Sequence, residues 1–200
     1  MPELRERGHD AVAMDLPCDD ESAGLAEYTD AVVEAIGERN ELVLVAQSFG
    51  GFTAPLVCER VAVELIVLVA GMIPRPGERG EDWFANTGWE PADDLDDEIE
   101  VFYHDVEPAL AREALRHGRK QADTPGLEPW PLDGWPNVPT EYLLCRDDRL
   151  FPADWLRGVV RDRLGIVPDE IESGHCPALS QPAELAERLV RYASVFTGSA

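Results

Sequence analysis

The hydrophobic positions of the chain form short continuous runs, separated by segments in which they recur at helical spacing. Runs of strand length occur at residues 41–46 (ELVLVA), 64–71 (ELIVLVAG) and 140–145 (TEYLLC), and a shorter one occurs at residues 166–172 (IVPDEIE). Continuous apolar runs are typical of parallel strands that are buried on both faces. The pattern therefore predicts an α/β fold, with a mostly parallel sheet and helices on both of its faces.

Helical periodicity predicts four helices around these strands, over residues 25–36, 49–60 and 153–164 and from Pro182 onwards. The first helix has its apolar positions on one face and Gly37 as its stop, and the last begins with a proline in its first turn. Residues 10–17 (DAVAMDLP) alternate between polar and apolar positions and end on a proline. This alternation predicts a further strand that runs into a loop.

Between residues 74 and 135 the pattern changes, and no core strand is obvious. This stretch is rich in proline, holds most of the tryptophans, and contains a helical piece near residues 107–120 and an acidic run at residues 90–100 (EPADDLDDEIE). An acidic run of this kind favours a solvated face over a binding site. We therefore expect one α/β core formed by residues 1–73 and 136–200, interrupted by a lobe at residues 74–135.

Composition and charge narrow the possible partners. The 200 residues carry 40 acidic and 17 basic side chains, a net charge of −23, which disfavours nucleic acid and anionic membrane surfaces. No apolar run approaches the roughly 18 to 20 residues that cross a bilayer. The opening MPELRERGHD lacks the apolar centre of a secretory signal. We expect a cytoplasmic protein.

The sequence contains no pattern that calls for a metal or an organic cofactor. Its four cysteines, Cys18, Cys58, Cys145 and Cys176, form no CxxC pair, which favours buried free thiols over a zinc site or a disulfide framework. The segment SFGG lacks the lysine and the spacing of a P-loop, and it lacks the third glycine of a dinucleotide-binding turn. We therefore expect chemistry that the side chains carry out alone.

A candidate nucleophile stands directly after an apolar run, in the sequence LVLVAQSFGG at residues 42–51. Ser48 follows a predicted strand and precedes a predicted helix, where a sharp turn can lift a side chain above the sheet edge. Such a turn packs the strand closely against the helix, so the positions two before and two after the serine must be small. Here they are Ala46 and Gly50. The pattern alone is also compatible with an ordinary serine at a strand end.

Two further residue types are needed, because a serine hydroxyl is a weak nucleophile unless an adjacent base takes its proton. His175 lies on the loop after the last predicted strand, from which it can reach the serine across the sheet edge, although a histidine without a role can also occupy such a loop. The carboxylate that orients the histidine is expected at an earlier strand end. The run LLCRDDRLFP offers both Asp147 and Asp148 there, and only one can point at the imidazole.

Taken together, these motifs resemble the α/β-hydrolase fold family, which carries its triad in the chain order Ser, Asp, His. The likeness rests on VAQSFGG, DDRLFP, SGHCPALSQPAELAERL and the opening LRERGHDAVAMDLP, and it covers nearly the whole chain. The type it resembles is the small esterase related to plant methylesterases and hydroxynitrile lyases. In the family's acid loop the catalytic aspartate stands four residues before a proline, here Pro152, so the resemblance selects Asp148.

The resemblance implies a serine hydrolase, a carboxylesterase that acts on a small ester through an acyl-enzyme. Ser48 would attack the ester carbonyl, and His175 would take and return the proton. Asp148 would fix the tautomer of the imidazole. The backbone N–H of Phe49, the residue after the nucleophile, would supply one oxyanion donor.

The resemblance also makes residues 74–135 a lid whose aromatic side chains could roof an apolar pocket. Trp83 and Trp89 from this lid, together with Gln47 beside the serine, are the candidate substrate-binding residues. For any single tryptophan, a place in the core of the lobe itself is the more ordinary interpretation.

The chain departs from the family in two places. The second oxyanion donor normally comes from a glycine-rich loop before the first helix, and residues 2–8 read as the end of that helix, so this loop is expected upstream of Met1. Cys176 stands where the related lyases carry a lysine, which disfavours lyase chemistry. Hydrolysis of carbon–carbon bonds and perhydrolysis stay open, and so does a non-catalytic ligand-binding protein that keeps the triad as a relic.

Overall fold

The structure is a computed structural model, and it describes residues 1–89 and 97–197. In these residues, four parallel strands form one sheet in the order β1-β2-β3-β4. The strands are β1 Val43–Gln47, β2 Leu65–Val69, β3 Thr140–Cys145 and β4 Asp169–Ile171. Because the strands are parallel, their carboxyl ends meet at one edge of the sheet, which is where ligands bind in open α/β sheets.

Helices connect the strands and cover the sheet. Within the described ranges they are α1 Pro2–Glu6, α2 Leu25–Ile36, α3 Gly50–Val57, α4 Gly80–Asn86, α5 Glu98–Phe102, α6 Pro108–His117, α7 Thr124–Leu127, α8 Ala153–Leu164, α9 Pro177–Ser180 and α10 Pro182–Thr197. None of them is both long and apolar enough to cross a membrane. The bounds of α2, α8 and β3 are those predicted from the sequence, and the predicted strands that correspond to β1, β2 and β4, and helix α3, differ at their ends by one to three residues.

Strand β2 is the centre of the hydrophobic core. All five of its residues are buried, and successive side chains of a strand point to opposite faces, so both faces of the sheet are covered here. Helix α3 packs against β1 and β2, α8 packs against β3, and α10 packs against β2. The predicted α/β fold, with a parallel sheet between helices, is confirmed.

The prediction of a strand at residues 10–17 is wrong. These residues are irregular, and Val12 and Met14 are 40% and 36% exposed. Alternating polarity indicates only that one face of an extended segment is apolar, whereas a strand also needs a neighbour that pairs with its backbone groups. No strand in the described part of the chain pairs with this segment. The predicted acidic run is described only from Asp97, which caps α5, and residues 90–96 lie outside the described residues.

The segment at residues 74–135 shares its core with the sheet. Trp83 and Trp130 are fully buried in the same hydrophobic cluster as the strands. Their indole N–H groups donate to the carbonyl oxygens of Ile73 and Phe52, both at 3.0 Å. The base of this segment is therefore part of the main core, while its role as a lid stays a prediction.

A buried ion pair fastens the start of this segment to α8. The side chains of Arg163 and Glu78 are 3% and 4% exposed, and an Arg163 Nη2 to Glu78 Oε1 hydrogen bond measures 2.8 Å. Asn86 and the backbone N–H of Arg75 also donate to the Glu78 carboxylate, and the guanidinium lies 5.9 Å from the ring centre of Trp83. Burial raises the pKa of Glu78, but the hydrogen bonds outweigh it and hold the pKa below its ordinary value of 4.5.

We expect Arg163→Met to lower the free energy of unfolding by about 3 to 5 kcal/mol at neutral pH, because Glu78 then stays buried without its cation. The pKa of Glu78 is depressed in the folded protein. The stabilisation that the ion pair with Arg163 gives the wild type is therefore present above pH 4.5, and it is lost as the pH falls through the pKa of Glu78 in the folded state. The difference in the free energy of unfolding between the wild type and Arg163→Met should therefore become smaller at acidic pH.

Urea unfolding at neutral and at acidic pH measures both effects. Arg161→Met is the control, because Arg161 is exposed on the same helix. If Arg163→Met loses no more free energy of unfolding than the control does, the buried ion pair does not have the stabilising role expected of it.

Candidate active site

Ser48 occupies a sharp turn between β1 and α3. Its φ angle is +50°, in the left-handed region, which costs a residue other than glycine about 1 to 3 kcal/mol. Hydrogen bonds from the end of β2 hold this conformation on both sides. The Ser48 N–H donates to the Val69 carbonyl at 3.3 Å, and the Met72 N–H donates to the Ser48 carbonyl at 2.9 Å. The hydroxyl side chain is thus presented, partly exposed, at the carboxyl edge of the sheet.

The tightest contact of this turn lies at Gly51 rather than at Gly50. A Cβ atom added at Gly51 would lie 1.8 Å from the carbonyl oxygen of Met72, which leaves no room for any side chain. A Cβ atom at Gly50 would make an ordinary contact of 3.5 Å with the Cβ of Ala46. The sequence pattern correctly indicates close packing of strand and helix at this turn, but the backbone approach that enforces it is one residue further on.

Asp148 and His175 form a buried hydrogen-bonded pair. The distance from His175 Nδ1 to Asp148 Oδ2 is 2.8 Å, and the two side chains are 3% and 0% exposed. The other carboxylate oxygen accepts from the backbone N–H groups of Leu150 at 2.9 Å and Phe151 at 3.0 Å. Because a carboxylate only accepts, Nδ1 carries the proton, and a neutral imidazole then has Nε2 free to accept one.

Asp147 is turned away from the imidazole. Its side chain is exposed, and its backbone N–H donates to the carbonyl of Ser173 at 3.0 Å. This bond ties the loop after β3 to the loop after β4. The two adjacent aspartates therefore differ in what they contact, and only Asp148 reaches His175.

Two aromatic rings enclose the imidazole of His175. The ring centres of Phe102 and Phe151 lie 5.4 Å and 5.3 Å from it, both in edge-to-face arrangements. Phe102 belongs to the inserted segment and Phe151 to the acid loop, so both regions contribute to the site. Phe102 is one of the aromatic residues of the predicted lid, whereas no pattern in the sequence singled out Phe151.

Gln47 contacts the histidine loop directly. Its amide Nε2 donates to the His175 carbonyl at 2.6 Å and lies 3.7 Å from Cys176 Sγ. The next residue, Ser48, makes no hydrogen bond through its hydroxyl in residues 1–89 and 97–197. The structure thus brings Ser48 to the edge that holds the Asp148–His175 pair, without a hydrogen bond between serine and histidine. The Phe49 N–H, at the start of α3, is likewise without a partner among the described residues.

The two candidate tryptophans lie in different surroundings. Trp83 is fully buried, and its ring packs against Phe84, Phe151 and Trp155. Trp89 is partly exposed, and its indole N–H donates to the Leu150 carbonyl in the acid loop at 2.8 Å. Full burial favours a core role for Trp83, whereas Trp89 keeps an accessible surface.

Cys176, the neighbour of His175, is not an activated thiol. Burial raises the pKa of its thiol to about 11, against a smaller lowering by the hydrogen bond from Gln47. The thiolate is the nucleophilic form, so the thiol is nearly inert at neutral pH. Within the described residues, no group of three or more His, Cys, Asp and Glu side chains is arranged to hold a metal ion.

Comparison with known proteins identifies the class. Residues 1–188 match the model of the alpha/beta hydrolase family, and the chain belongs to this family. The predicted resemblance to the α/β-hydrolase family is thereby confirmed, as is the expectation of a hydrolase at the level of the family.

Individual relatives are distant but cover most of the chain. Probable hydrolase R7 of a Phoma species is 27% identical, over 96% of this chain and 90% of the relative. Methylesterase 7 of Arabidopsis thaliana is 23% identical, over 97% and 89%. The crystal structure of polyneuridine aldehyde esterase superposes with a TM-score of 0.79 at 20% identity, over 96% of this chain and 91% of that one.

We expect Gly51→Ala to lower the free energy of unfolding by about 1 to 3 kcal/mol or more, because the new methyl group must displace the backbone at Met72. The matched control is Gly50→Ala in the same helix turn, where the methyl group makes an ordinary contact. Thermal unfolding of both variants measures the difference. Equal stabilities would mean that the close approach at Gly51 is absent.

We expect Cys176 to resist alkylation at pH 7, because a thiol with a pKa of about 11 has only about one molecule in ten thousand ionised there. Iodoacetamide labelling, located by peptide mass, should accelerate about tenfold per pH unit between pH 7 and pH 9. Glutathione is the reference thiol. Labelling of Cys176 at the rate of glutathione at pH 7 would contradict the expectation.

Proposed function

We propose that this protein is a serine hydrolase, a carboxylesterase that cleaves a small ester through an acyl-enzyme. One observation carries the proposal. The buried Asp148–His175 hydrogen bond lies at the same sheet edge as Ser48, whose left-handed turn presents its hydroxyl there. A serine, a histidine and a carboxylate in these relations are the parts of a nucleophilic triad.

The reaction would proceed in two halves. Ser48 Oγ attacks the ester carbonyl while its proton passes to His175 Nε2, and collapse of the tetrahedral intermediate releases the alcohol, which takes that proton. Water then attacks the acyl-enzyme and gives a proton to the same nitrogen. Collapse of the second tetrahedral intermediate releases the acid, and the proton returns from His175 Nε2 to Ser48 Oγ. Asp148 holds the imidazole in the required tautomer and stabilises the imidazolium that forms in each half.

Charge on the carbonyl oxygen has to be stabilised by backbone donors. The Phe49 N–H, which has no partner in the described residues, is the first of these.

The proposed substrate is a small ester bound beside the triad. The names Methylesterase 7 and polyneuridine aldehyde esterase support an ester as the substrate class. Phe102 and Phe151 give the surroundings of His175 an aromatic character, and Trp89 is the proposed contact from the inserted segment. Gln47, already bonded to the histidine loop, would act on the substrate only through a change of partner.

A non-catalytic ligand-binding protein is the second candidate. The observation in its favour is the Ser48 hydroxyl, which makes no hydrogen bond to His175 in the described part of the chain. Catalytic hydrogen bonds are often long without substrate and tighten when it binds. The reactivity of Ser48 therefore decides between the two functions.

The test is the intact mass of the protein after exposure to a fluorophosphonate, which reacts with activated serines. We expect one adduct on the wild type and none on Ser48→Ala, because Ser48 is the serine whose turn presents its hydroxyl at the sheet edge that holds the Asp148–His175 pair. The absence of an adduct on a folded wild-type chain would remove the esterase proposal and leave the binding protein.

The matched pair Asp148→Asn and Asp147→Asn tests the choice of acid. We expect Asp148→Asn to slow modification roughly a thousand- to ten-thousandfold, because the imidazole loses the acceptor that fixes its tautomer. Asp147→Asn should react like the wild type, since its side chain is exposed. Equal rates for the two variants would rule out Asp148 as the orienting carboxylate.

A further inference from the structure

A short segment of the insertion lies across the loop that carries His175. It runs from Phe102 at the end of α5 to Asp105 before α6. Asp105 Oδ2 accepts from the backbone N–H of Gly174 at 2.7 Å and from the hydroxyl of Ser173 at 3.3 Å. The insertion is thus bonded to the two residues that immediately precede His175.

The neighbouring residue, His104, holds the acid loop. Its Nε2 lies 2.9 Å from the carbonyl oxygen of Asp147. Because a carbonyl oxygen only accepts, Nε2 must carry a proton here. His104 therefore contacts Asp147, the residue before Asp148. Asp105 contacts Gly174, the residue before His175.

The fit around Gly174 is close. A Cβ atom at Gly174 would lie 2.6 Å from Asp105 Oδ1 and 2.7 Å from His104 Nε2. Any side chain at this position would push both residues of the insertion away from the loops. The absence of a side chain at Gly174 is what lets the two reach their partners.

Asp105 is held as an anion that accepts these bonds. Burial raises the pKa of Asp105, but the hydrogen bond from the Gly174 N–H, the nearby Ser180 hydroxyl and the neighbouring His104 together outweigh it, so the pKa lies below its ordinary value. Hydrogen bonds to a charged acceptor are stronger than those between neutral groups. The Ser173 hydroxyl is fixed from a second side by Ser180, at 2.8 Å.

We propose that His104 and Asp105 are positioning residues, which hold the acid loop and the histidine loop so that Asp148 and His175 keep their alignment toward Ser48. This inference rests on the proposed function, and it adds that the triad is incomplete without the inserted segment. Misplacing a reacting group by about 1 Å can cost about a hundredfold in rate. Neither residue needs to touch the substrate to have this effect.

Kinetics of the full chain test the proposal, with p-nitrophenyl acetate as substrate and a fluorophosphonate as the probe of Ser48. We expect Asp105→Ala to lower kcat and the modification rate about 10- to 100-fold with KM changed less than about twofold, because alignment and not binding is lost. Asp105→Asn should recover most of the rate, since its amide oxygen can still accept from the Gly174 N–H. His104→Ala should be slowed and His104→Gln, which keeps a donor, should recover.

Glu107→Ala is the matched control. Glu107 also accepts two backbone hydrogen bonds, but from Ala109 and Leu110 at the start of its own helix. Its loss should cost some stability and leave kcat unchanged. Wild-type rates for Asp105→Ala and His104→Ala, or an equal loss in Glu107→Ala, would overturn the proposal.

An independent readout separates this inference from the proposed function. The amide resonance of Gly174 should shift, and its hydrogen exchange should accelerate by about tenfold or more, in Asp105→Ala but not in Glu107→Ala. If the wild type fails to react with the fluorophosphonate while this amide responds, the esterase proposal fails and the anchoring of the loop stands. An unchanged Gly174 amide would overturn the anchoring whatever the activity.

Discussion

The backbone hydrogen bonds at the end of β2 are the constraint on which the site depends. They hold Ser48 in a left-handed conformation that a serine would not adopt on its own. These bonds exist because β2 is buried on both faces and runs parallel to β1 in a fixed register. The turn can therefore not relax without disturbing the centre of the hydrophobic core, and the approach of Gly51 to Met72 closes it from the helix side.

The other half of the site is built from loops that are fastened to one another. The carboxylate of Asp148 is satisfied by two backbone N–H groups as well as by the imidazole, which makes its burial tolerable, because an unpaired buried charge is costly. Gln47 ties the turn at the serine to the carbonyl of His175. Strand ends supply the positions of these residues, and hydrogen bonds between loops supply their orientation.

The inserted segment is part of this arrangement and not an appendage. Trp83 lies in the main core, the Glu78–Arg163 ion pair binds the start of the segment to α8, and Phe102 packs against the imidazole of His175. A segment that shares the core and contacts the site can influence the chemistry without supplying a reacting group. Hydrogen bonds from His104 and Asp105 connect the inserted segment to the acid loop and to the loop that carries His175.

The order of strands and helices could be predicted from the sequence, because continuous apolar runs and helical periodicity are properties of neighbouring residues. The helix from Leu25 to Ile36 has the predicted bounds for this reason, with Gly37 at its end. Ser48, Asp148 and His175 could also be selected, since each follows a strand end in the order that the family uses. The residues 10–17 show the limit of this reasoning, because their alternation lacked a partner strand.

Contacts between distant residues were decided only by the tertiary structure. The full burial of Trp83 and the partial exposure of Trp89 follow from which surfaces meet. The hydrogen bond between Asp105 and Gly174 joins residues 69 positions apart in the chain, and no local sequence pattern at either residue predicts it. A linear sequence determines which segments form strands and helices, whereas the direction of each side chain and the fit between loops arise only when those segments pack together.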